Sequence, residues 1–381
     1  MLQGRSVAIS ADGNTAIIGG PADNDAVGAA WAFTRTAGVW NQQGEKLVGT
    51  GTVGSSGQGI SVGLSADGNT AIVCGAADNG GVGAAWIFVR DAGIWSQQGG
   101  KLVGTGAVGN PGQGHSVGLS ADGNTAIVGT GNDNGYVGAA WVFTRTAGVW
   151  SQQGSKLVGS GAVAGPAHMG TSVGISADGN TAIVGGWGDN GGAGAAWVFT
   201  RTIGVWSQQG SKLAGAGATV AAEQGFSVSI AGDGNTAVLG AVDDNGGVGA
   251  AWVFTRSGGV WTQQGRKLVG LGAVGTAAQG VSVRLSADGN AIIMGGSTDN
   301  GDAGAAWVFT RTAGIWSQQG SKLAGTGAVG GAVQGVSVSL SADGNTAIVG
   351  GSQDDSGVGA AWVFINQAAV GRPQQFRKAE W

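Results

Sequence analysis

The hydrophobic residues of this chain occur in short stretches that are separated by clusters of Gly, Asp and Asn. One set of four stretches reads ISVGLS (60–65), TAIVCG (70–75), GAAWIFVR (83–90) and IWSQQGGKLVG (94–104). Stretches rich in Val, Ile and aromatic residues and bounded by turn residues predict β-strands. No window shows the longer hydrophobic period of a helix. The pattern therefore predicts an all-β protein.

The four stretches belong to a unit that recurs seven times, and its Asp-Gly pair returns every 55 or 56 residues. Four antiparallel strands in each unit predict a seven-bladed β-propeller. A β-solenoid is the alternative, but its coils are usually shorter and do not need four strands. We predict one domain over residues 1–381, with blades at about 3–57, 58–112, 113–168, 169–223, 224–278, 279–333 and 334–381.

Composition restricts the classes of partner. Charged residues make up 10% of the chain and the net charge is −4, which gives no positive surface for nucleic acid. No apolar run reaches the roughly 18 residues that span a bilayer, so we expect no membrane insertion. We expect no signal peptide before the first repeat. The single Cys74 cannot form an internal disulfide. We expect a monomer.

The unit resembles the FG-GAP repeat, the blade of the integrin α-subunit propeller and of many bacterial surface proteins. Blades here open with QGRSV (3–7), QGISV (58–62) and QGFSV (224–228) where the family has Phe-Gly-x-Ser-Val. The second strand ends in GGP (19–21), GAA (75–77) or GAV (240–242) where the family has Gly-Ala-Pro. The resemblance covers residues 3–365 and implies an extracellular or cell-surface location. It also implies Ca²⁺ in the first interstrand turn, although the family's Asp-x-Asp-x-Asp-Gly loop is replaced by SADGNT.

The Asp-Gly-Asn motif of that turn admits three interpretations: a tight turn, a calcium loop or a catalytic carboxylate. Asp-Gly between apolar strands is a strong hairpin signal because Gly takes positive φ without strain. Calcium needs roughly six to eight oxygen ligands, and one carboxylate between Ser and Asn supplies few of them. We favour the turn and expect no required cofactor, with Ca²⁺ as the one candidate. The candidate metal ligands are Asp12, Asp67, Asp122, Asp178, Asp233, Asp288 and Asp343.

A second Asp series lies 11 residues after the first, in the loop between strands two and three. This loop emerges on the face opposite the first turn, where the blade-to-blade linkers lie and propeller ligands usually bind. A ring of Asp-Asn pairs suits cations or sugar hydroxyls; the alternative is an Asx-turn in a Gly-rich loop. These candidate ligand residues are Asp23, Asn24, Asp78, Asn79, Asp133, Asn134, Asp189, Asn190, Asp244, Asn245, Asp299, Asn300 and Asp354.

Two tryptophan series differ in their expected exposure. In GAAWVF, Trp141 and Phe143 share one strand face, which predicts packing between blades. A second series begins the outermost strand beside two Gln residues, a combination typical of sugar binding in propeller lectins, with edge packing as the alternative. It comprises Trp40, Trp95, Trp150, Trp206, Trp261 and Trp316. An Arg that ends strand three and a Lys in strand four are interpreted as edge charges that discourage pairing with other sheets.

Residues that depart from the repeat are few, and they bear on catalysis. His115, His168, Trp187, Glu223 and Asp302 are isolated substitutions. Two histidines in different blades, without a neighbouring carboxylate pair, predict neither a metal site nor a catalytic triad. We therefore expect no enzyme. The favoured function is a non-catalytic scaffold that binds a protein or glycan partner; the alternatives are a multivalent lectin and a structural segment of a larger surface protein.

Closure of the ring is the weak point of the pattern. The chain starts at an innermost strand and ends with INQAAVGRPQQFRKAEW (365–381), in which little resembles strand four. We expect this tail to supply a poor outer strand for blade seven or to fray. Closure through an added N-terminal strand would need a strand before Gln3, and none is predicted.

Overall fold

Seven four-stranded antiparallel sheets follow one another along the chain, so the predicted seven-bladed propeller is confirmed. The computed structural model describes residues 1–163, 165–366 and 376–378. In every sheet the strands occur in chain order, and the first strands of neighbouring sheets contact each other around a central channel. The chain therefore runs outward through each blade before it enters the next.

The strands occupy four equivalent positions in the seven blades. The innermost strands are β1 (Ser6–Ile9), β5 (Ser61–Leu64), β9 (Ser116–Leu119), β13 (Ser172–Ile175), β17 (Ser227–Ile230), β21 (Gln279–Leu285) and β25 (Ser337–Leu340). The second strands are β2 (Thr15–Gly20), β6 (Thr70–Gly75), β10 (Thr125–Thr130), β14 (Thr181–Gly186), β18 (Thr236–Ala241), β22 (Ala291–Gly296) and β26 (Thr346–Gly351). The third strands are β3 (Ala29–Thr36), β7 (Ala84–Asp91), β11 (Ala139–Thr146), β15 (Ala195–Thr202), β19 (Ala250–Ser257), β23 (Ala305–Thr312) and β27 (Ala360–Asn366). The outermost strands are β4 (Val39–Gln42), β8 (Ile94–Gln97), β12 (Val149–Gln152), β16 (Val205–Gln208), β20 (Val260–Gln263), β24 (Ile315–Gln318) and β28 (Phe376–Lys378).

The outermost strands are shorter than the sequence pattern predicts. In blade two the strand ends at Gln97, because the chain turns away at Gly99, which has φ of 73°. It returns as an isolated antiparallel bridge between Leu102 and Ala85. The Lys of this segment consequently lies outside the outer strand.

A single helical turn joins strands two and three in six blades. The turns are α1 (Asp78–Gly81), α2 (Asp133–Tyr136), α3 (Asp189–Gly192), α4 (Asp244–Gly247), α5 (Asp299–Asp302) and α6 (Asp354–Gly357). Their second and third residues are left-handed; in α1, Asn79 and Gly80 have φ of 52° and 66°. Asn and Gly tolerate this conformation better than other residues, which explains their recurrence after the Asp.

The hydrophobic core lies between the blades, as the first tryptophan series predicts. One cluster joins Ile183 and Val198 of blade four to Leu239, Trp252 and Phe254 of blade five. The Trp252 indole is fully buried and donates a hydrogen bond to the Ala216 carbonyl at 2.9 Å. Comparable clusters join the other neighbouring blades. Each blade is therefore stabilised by its neighbours.

The inner parts of blades seven and one meet through contacts that also join the other blades, without a shared sheet among the described strands. Gln3 forms a parallel bridge with Gly359, as Gln58 does with Gly28. At the first turns, a backbone amide of each blade donates to a carbonyl of the next at 2.8–3.0 Å, and Ala342 to Ala11 completes the circle. The tail supplies a three-residue fourth strand, β28; the rest of 367–381 lies outside the described residues. No described helix is long and apolar enough to cross a membrane.

Candidate functional site

The mouth of the channel, on the face of the linkers, is lined by residues that differ from blade to blade. A cavity of about 520 Å³ opens there. It is lined by the residue that precedes the conserved Ser-Val pair in each innermost strand. These seven residues are Arg5, Ile60, His115, Thr171, Phe226, Val281 and Val336.

In six blades, the serine that follows this residue fixes the position of its strand. Ser116 Oγ donates to the Gly170 carbonyl of the next blade at 2.8 Å, and Ser227 Oγ donates to Gly280 at 2.6 Å. The serines therefore hold neighbouring blades together. The preceding side chains make no such repeated contact, so their chemistry can differ from blade to blade without loss of the ring.

His115 is exposed to this cavity, and its ring has a defined hydrogen-bond partner. Its Nδ1 lies 3.3 Å from the Thr171 carbonyl oxygen, which can only accept, so Nδ1 carries the proton in this contact. Desolvation inside the channel mouth lowers the pKa of His115; the Thr171 hydrogen bond opposes this shift, and the Arg5 charge adds to it. At neutral pH the ring is uncharged, and Nε2 is free to accept a proton.

Arg5 places a positive charge in the same cavity. Its guanidinium has no ion-pair partner among the described carboxylates, and none of the described residues forms a hydrogen bond with it. Burial lowers the pKa of Arg5, but arginine remains charged at neutral pH. No acidic residue occurs among the described residues that line the cavity. The mouth therefore suits a polar or anionic small molecule.

An aromatic group forms part of the cavity wall. Trp187 lines the cavity and stacks on His168, with ring centroids 4.4 Å apart. The Tyr136 ring is tilted against the His168 ring, with their centroids 5.3 Å apart. Burial lowers the pKa of His168. The stack gives one side of the mouth a flat apolar surface.

The first Asp series lies on the opposite face, and its carboxylates accept hydrogen bonds from residues of their own turns. Asp12 Oδ1 accepts from Ser10 Oγ at 2.5 Å and from the Asn14 amide at 2.9 Å, and Oδ2 accepts from Asn14 Nδ2 at 3.1 Å. Burial would raise the pKa of Asp12, but these hydrogen bonds outweigh it and lower the pKa. Asn14 in turn accepts from Arg35 Nε at 2.9 Å. One carboxylate with three internal donors does not fit the oxygen shell of calcium.

The described residues contain no group of three or more His, Cys, Asp or Glu side chains that could hold a metal ion. Calcium binding by the Asp-Gly-Asn turns stays a prediction, and no chemical step is derived through it.

Six members of the second Asp series are buried beneath the linker face and paired with lysine, and the seventh, Asp354, is partly buried. Asp78 Oδ2 accepts from Lys101 Nζ at 2.5 Å, while Oδ1 accepts from the Val53 amide of the linker at 2.8 Å. Equivalent pairs join Lys46, Lys156, Lys212, Lys267 and Lys322 to their aspartates. The lysines, interpreted from the sequence as edge charges, thus hold loops inside each blade. Ligand binding by the Asp-Asn pairs stays a prediction.

The outer tryptophans contact residues of the preceding blade. Trp95 Nε1 donates to Gln43 Oε1 at 3.1 Å, and Arg90 Nη1 donates to the same oxygen at 3.0 Å. The Arg90 guanidinium also lies over the Trp95 ring, 5.4 Å from its centroid. Trp40 is buried and the others are partly buried. Sugar binding by this series stays a prediction.

Sequence reasoning missed Arg5, Thr171 and Phe226 and separated His115 from its neighbours. A signal was present: when the blades are aligned on Ser-Val, the preceding position holds six different residue types. Glu223, whose pKa is raised by burial and by Asp243, and Asp302 are not part of the cavity lining.

Comparisons with known proteins give structural neighbours. No family model and no curated protein sequence matches the chain. A Bacteroides uniformis protein named as a candidate 6-phosphogluconolactonase is 14% identical, with a TM-score of 0.65 over 96% of this chain and 94% of that one. A periplasmic gluconolactonase of Pseudomonas aeruginosa is 18% identical, with a TM-score of 0.62 over 96% of each chain. These likenesses support the propeller fold.

The names of these neighbours correct two expectations. A non-catalytic scaffold and a chain without enzymatic activity were expected because few residues depart from the repeat and no carboxylate pair neighbours the histidines, and both expectations were wrong. The lectin and structural-segment alternatives are not supported either. The physical reason is that the blades resemble one another where they contact each other. The mouth of the channel is lined by a position whose residue type changes from blade to blade. The FG-GAP resemblance stays a prediction.

Proposed function

We propose that this protein is a lactonase that hydrolyses a sugar-acid lactone at the mouth of the channel. The observation that carries the proposal is that Arg5 and His115 line one cavity that no described acidic residue enters. Its volume of about 520 Å³ is typical of small-molecule sites. Two propellers of similar structure with lactonase names support this reaction class.

His115 supplies the proton transfers. Its Nε2 accepts a proton from a water molecule while the water oxygen attacks the lactone carbonyl carbon. The carbonyl electron pair moves to the carbonyl oxygen and gives a tetrahedral intermediate. When the carbonyl forms again, the bond from the acyl carbon to the ring oxygen breaks, and the imidazolium returns the proton to that oxygen. The product is the open hydroxy acid.

Arg5 stabilises the negative charge that develops on the carbonyl oxygen. An unpaired guanidinium in a partly closed cavity interacts with an oxyanion more strongly than it would in bulk water. The Trp187–His168 stack offers a face for the carbon-bound hydrogens of the sugar ring. The ring and the charge therefore bind to different sides of the mouth.

The test is hydrolysis of glucono-1,5-lactone by the full chain, followed as acid release above the uncatalysed rate. His115→Val introduces the residue found at this position in blades six and seven. It should lower kcat/KM by about 10²–10⁴-fold. Arg5→Ile, which copies blade two, should lower it by about 10²-fold.

Ile203→Ala is the matched control. Ile203 is exposed at the opposite face, and blades one, two, three and six have Ala there. This variant should keep the wild-type rate. The proposal fails if wild-type protein hydrolyses neither this lactone nor its 6-phosphate, or if His115→Val is as active as Ile203→Ala.

We also propose an extracellular or cell-surface location, membership of the FG-GAP repeat family and a monomeric state. Cell fractionation tests the first, and light scattering tests the last.

A further inference from the structure

Arg284 is the second departure from the repeat inside the channel. It occupies the third position of the Ser-Val-x motif in β21. The six equivalent residues are all small: Ala8, Gly63, Gly118, Gly174, Ser229 and Ser339. Blade six alone therefore sends a long charged side chain into a region that the other blades leave open.

The Arg284 side chain lines a cavity of about 140 Å³ in the part of the channel nearer the first turns. The cavity wall includes an Ile or Leu from every innermost strand: Ile9, Leu64, Leu119, Ile175, Ile230, Leu285 and Leu340. Arg284 is the one charged residue among the described residues of this wall, and no residue lines both this cavity and the mouth. The two cavities are distinct sites.

The Arg284 guanidinium has no partner among the described residues. All six described ion pairs belong to the repeated Asp-Lys series. No described hydrogen bond involves its side chain, and it is not among the residues with an additional contact. Burial lowers its pKa, yet arginine keeps its charge at neutral pH. An unpaired charge among apolar side chains has a high desolvation free energy. Entry of a mobile counter-ion would lower it.

A buried hydroxyl on the neighbouring blade adds a second unsatisfied group. Ser339 holds the equivalent position in β25, the strand beside β21; its Oγ is buried and has no hydrogen-bond partner. The equivalent Ser229 Oγ is satisfied, because it accepts from the Leu285 amide at 3.1 Å. Ser339 does not line the cavity, so Arg284 is the group that would bind a ligand there.

We propose that Arg284 binds a small monovalent anion, a halide or a short carboxylate, inside the channel. A monovalent anion neutralises the single positive charge of Arg284. The cavity of about 140 Å³ admits such an ion but not an open six-carbon sugar acid. The site is separate from the lactone site, and its occupancy would stabilise the ring by linking a ligand to the folded state alone.

The test is thermal unfolding of the full chain in chloride-free buffer, with sodium chloride added against sodium sulfate at equal ionic strength. Wild-type Tm should rise with chloride and then saturate. Arg284→Ser copies blades five and seven and should fold, and its Tm should lack the saturating rise with chloride. Arg5→Ile, which removes the unpaired arginine of the mouth, should keep the wild-type chloride response.

A direct measurement guards against misfolding of the variant. The ³⁵Cl NMR signal should broaden with wild-type protein and with Arg5→Ile, and bromide should reverse the broadening. Absence of broadening and of a chloride-specific Tm rise in wild-type protein overturns the proposal, as does an unchanged response in Arg284→Ser. Lactone hydrolysis by Arg284→Ser should equal that of wild-type protein, so failure of one proposal leaves the other intact.

Discussion

Side chains in the outer parts of the blades repeat from blade to blade, whereas side chains at the mouth of the channel differ. The Asp-Lys pairs, the interblade tryptophans and the Arg–Gln–Trp contacts recur from blade to blade with nearly the same geometry. At the mouth, the seven equivalent residues include a cation, an imidazole, a hydroxyl and a phenyl ring. A repeated side chain has a repeated partner, in its own blade or in a neighbouring one, and a change to one requires a change to both. The mouth residues face the channel and are free of that constraint.

Trp197→Ala attacks the repeated part and should have the largest effect on stability. Trp197 is fully buried between blades, and a Cβ on Gly159 would lie 2.2 Å from its Cδ1, so the packing there is close. Loss of the indole should lower the free energy of unfolding by about 3–5 kcal/mol. Guanidinium denaturation measures the change. The partly buried Trp206 is the control: Trp206→Phe keeps an aromatic ring and should cost clearly less. Equal losses would contradict the contrast between core and edge.

Asp189→Asn should have an intermediate effect. Asp189 is buried and ion-paired with Lys212, and its Oδ1 accepts from the Val163 amide at 2.8 Å. Removal of one partner from a buried ion pair typically costs about 3–5 kcal/mol. Because the Lys212 side chain is 20% exposed, we expect roughly 2 kcal/mol by the same denaturation measurement. Asn190→Gly should be near neutral, since Gly tolerates the φ of 53°. A neutral Asp189→Asn would show that the pair is dispensable.

The pH dependence of lactone hydrolysis tests His115 at the mouth of the channel and does not depend on the repeated contacts. The reaction requires neutral His115, so kcat/KM should fall as the pH decreases through the pKa of this group. Burial lowers that pKa, and the acid limb should therefore lie below the ordinary 6.5. Below it the rate should fall tenfold per pH unit, about 1.4 kcal/mol in activation free energy. In Arg5→Ile the limb should move to higher pH, because the Arg5 charge depresses the His115 pKa. A limb above 6.5 would exclude His115 as the base.

Calcium should have the smallest effect. The carboxylate oxygens of Asp12 and its equivalents already accept hydrogen bonds within their turns, so Ca²⁺ added to metal-stripped protein should leave the Tm unchanged. Calorimetric titration provides the second measurement. Saturable binding near seven equivalents, with a raised Tm, would instead establish the metal system that the FG-GAP resemblance implies.

The fold was predictable because its determinants repeat. Trp141 and Asp122 recur in register along the chain, and period-two patterning with Asp-Gly turns specifies each sheet. Strand four was predicted too long because the pattern runs on past Gln97, whereas Gly99 turns the chain away. Here the left-handed backbone of one glycine outweighs the periodicity.

The candidate site was harder to predict because its residues are united by the ring and not by the sequence. Arg5 and His115 are 110 positions apart and are brought together because both precede an innermost strand. His115 departs visibly from the repeat, but the sequence places no carboxylate pair beside it, and such a pair was the expected sign of catalysis. The structure offers an arginine instead. The Asp23 and Lys46 series, similarly, could not be paired from spacing alone, since the lysine was assigned to the outer strand.

The circle of backbone hydrogen bonds at the first turns makes the position of the chain break irrelevant to the architecture. Each amide points to the carbonyl of the next blade in the same rotational sense, and the step from Ala342 to Ala11 resembles the other six. Peptide dipoles arranged head to tail around an axis cancel over the full turn, so this face has no excess polarity on any side. A circular permutant opened in any of the blade linkers would keep every one of these bonds. The propeller is thus a ring in its energetics as well as in its shape.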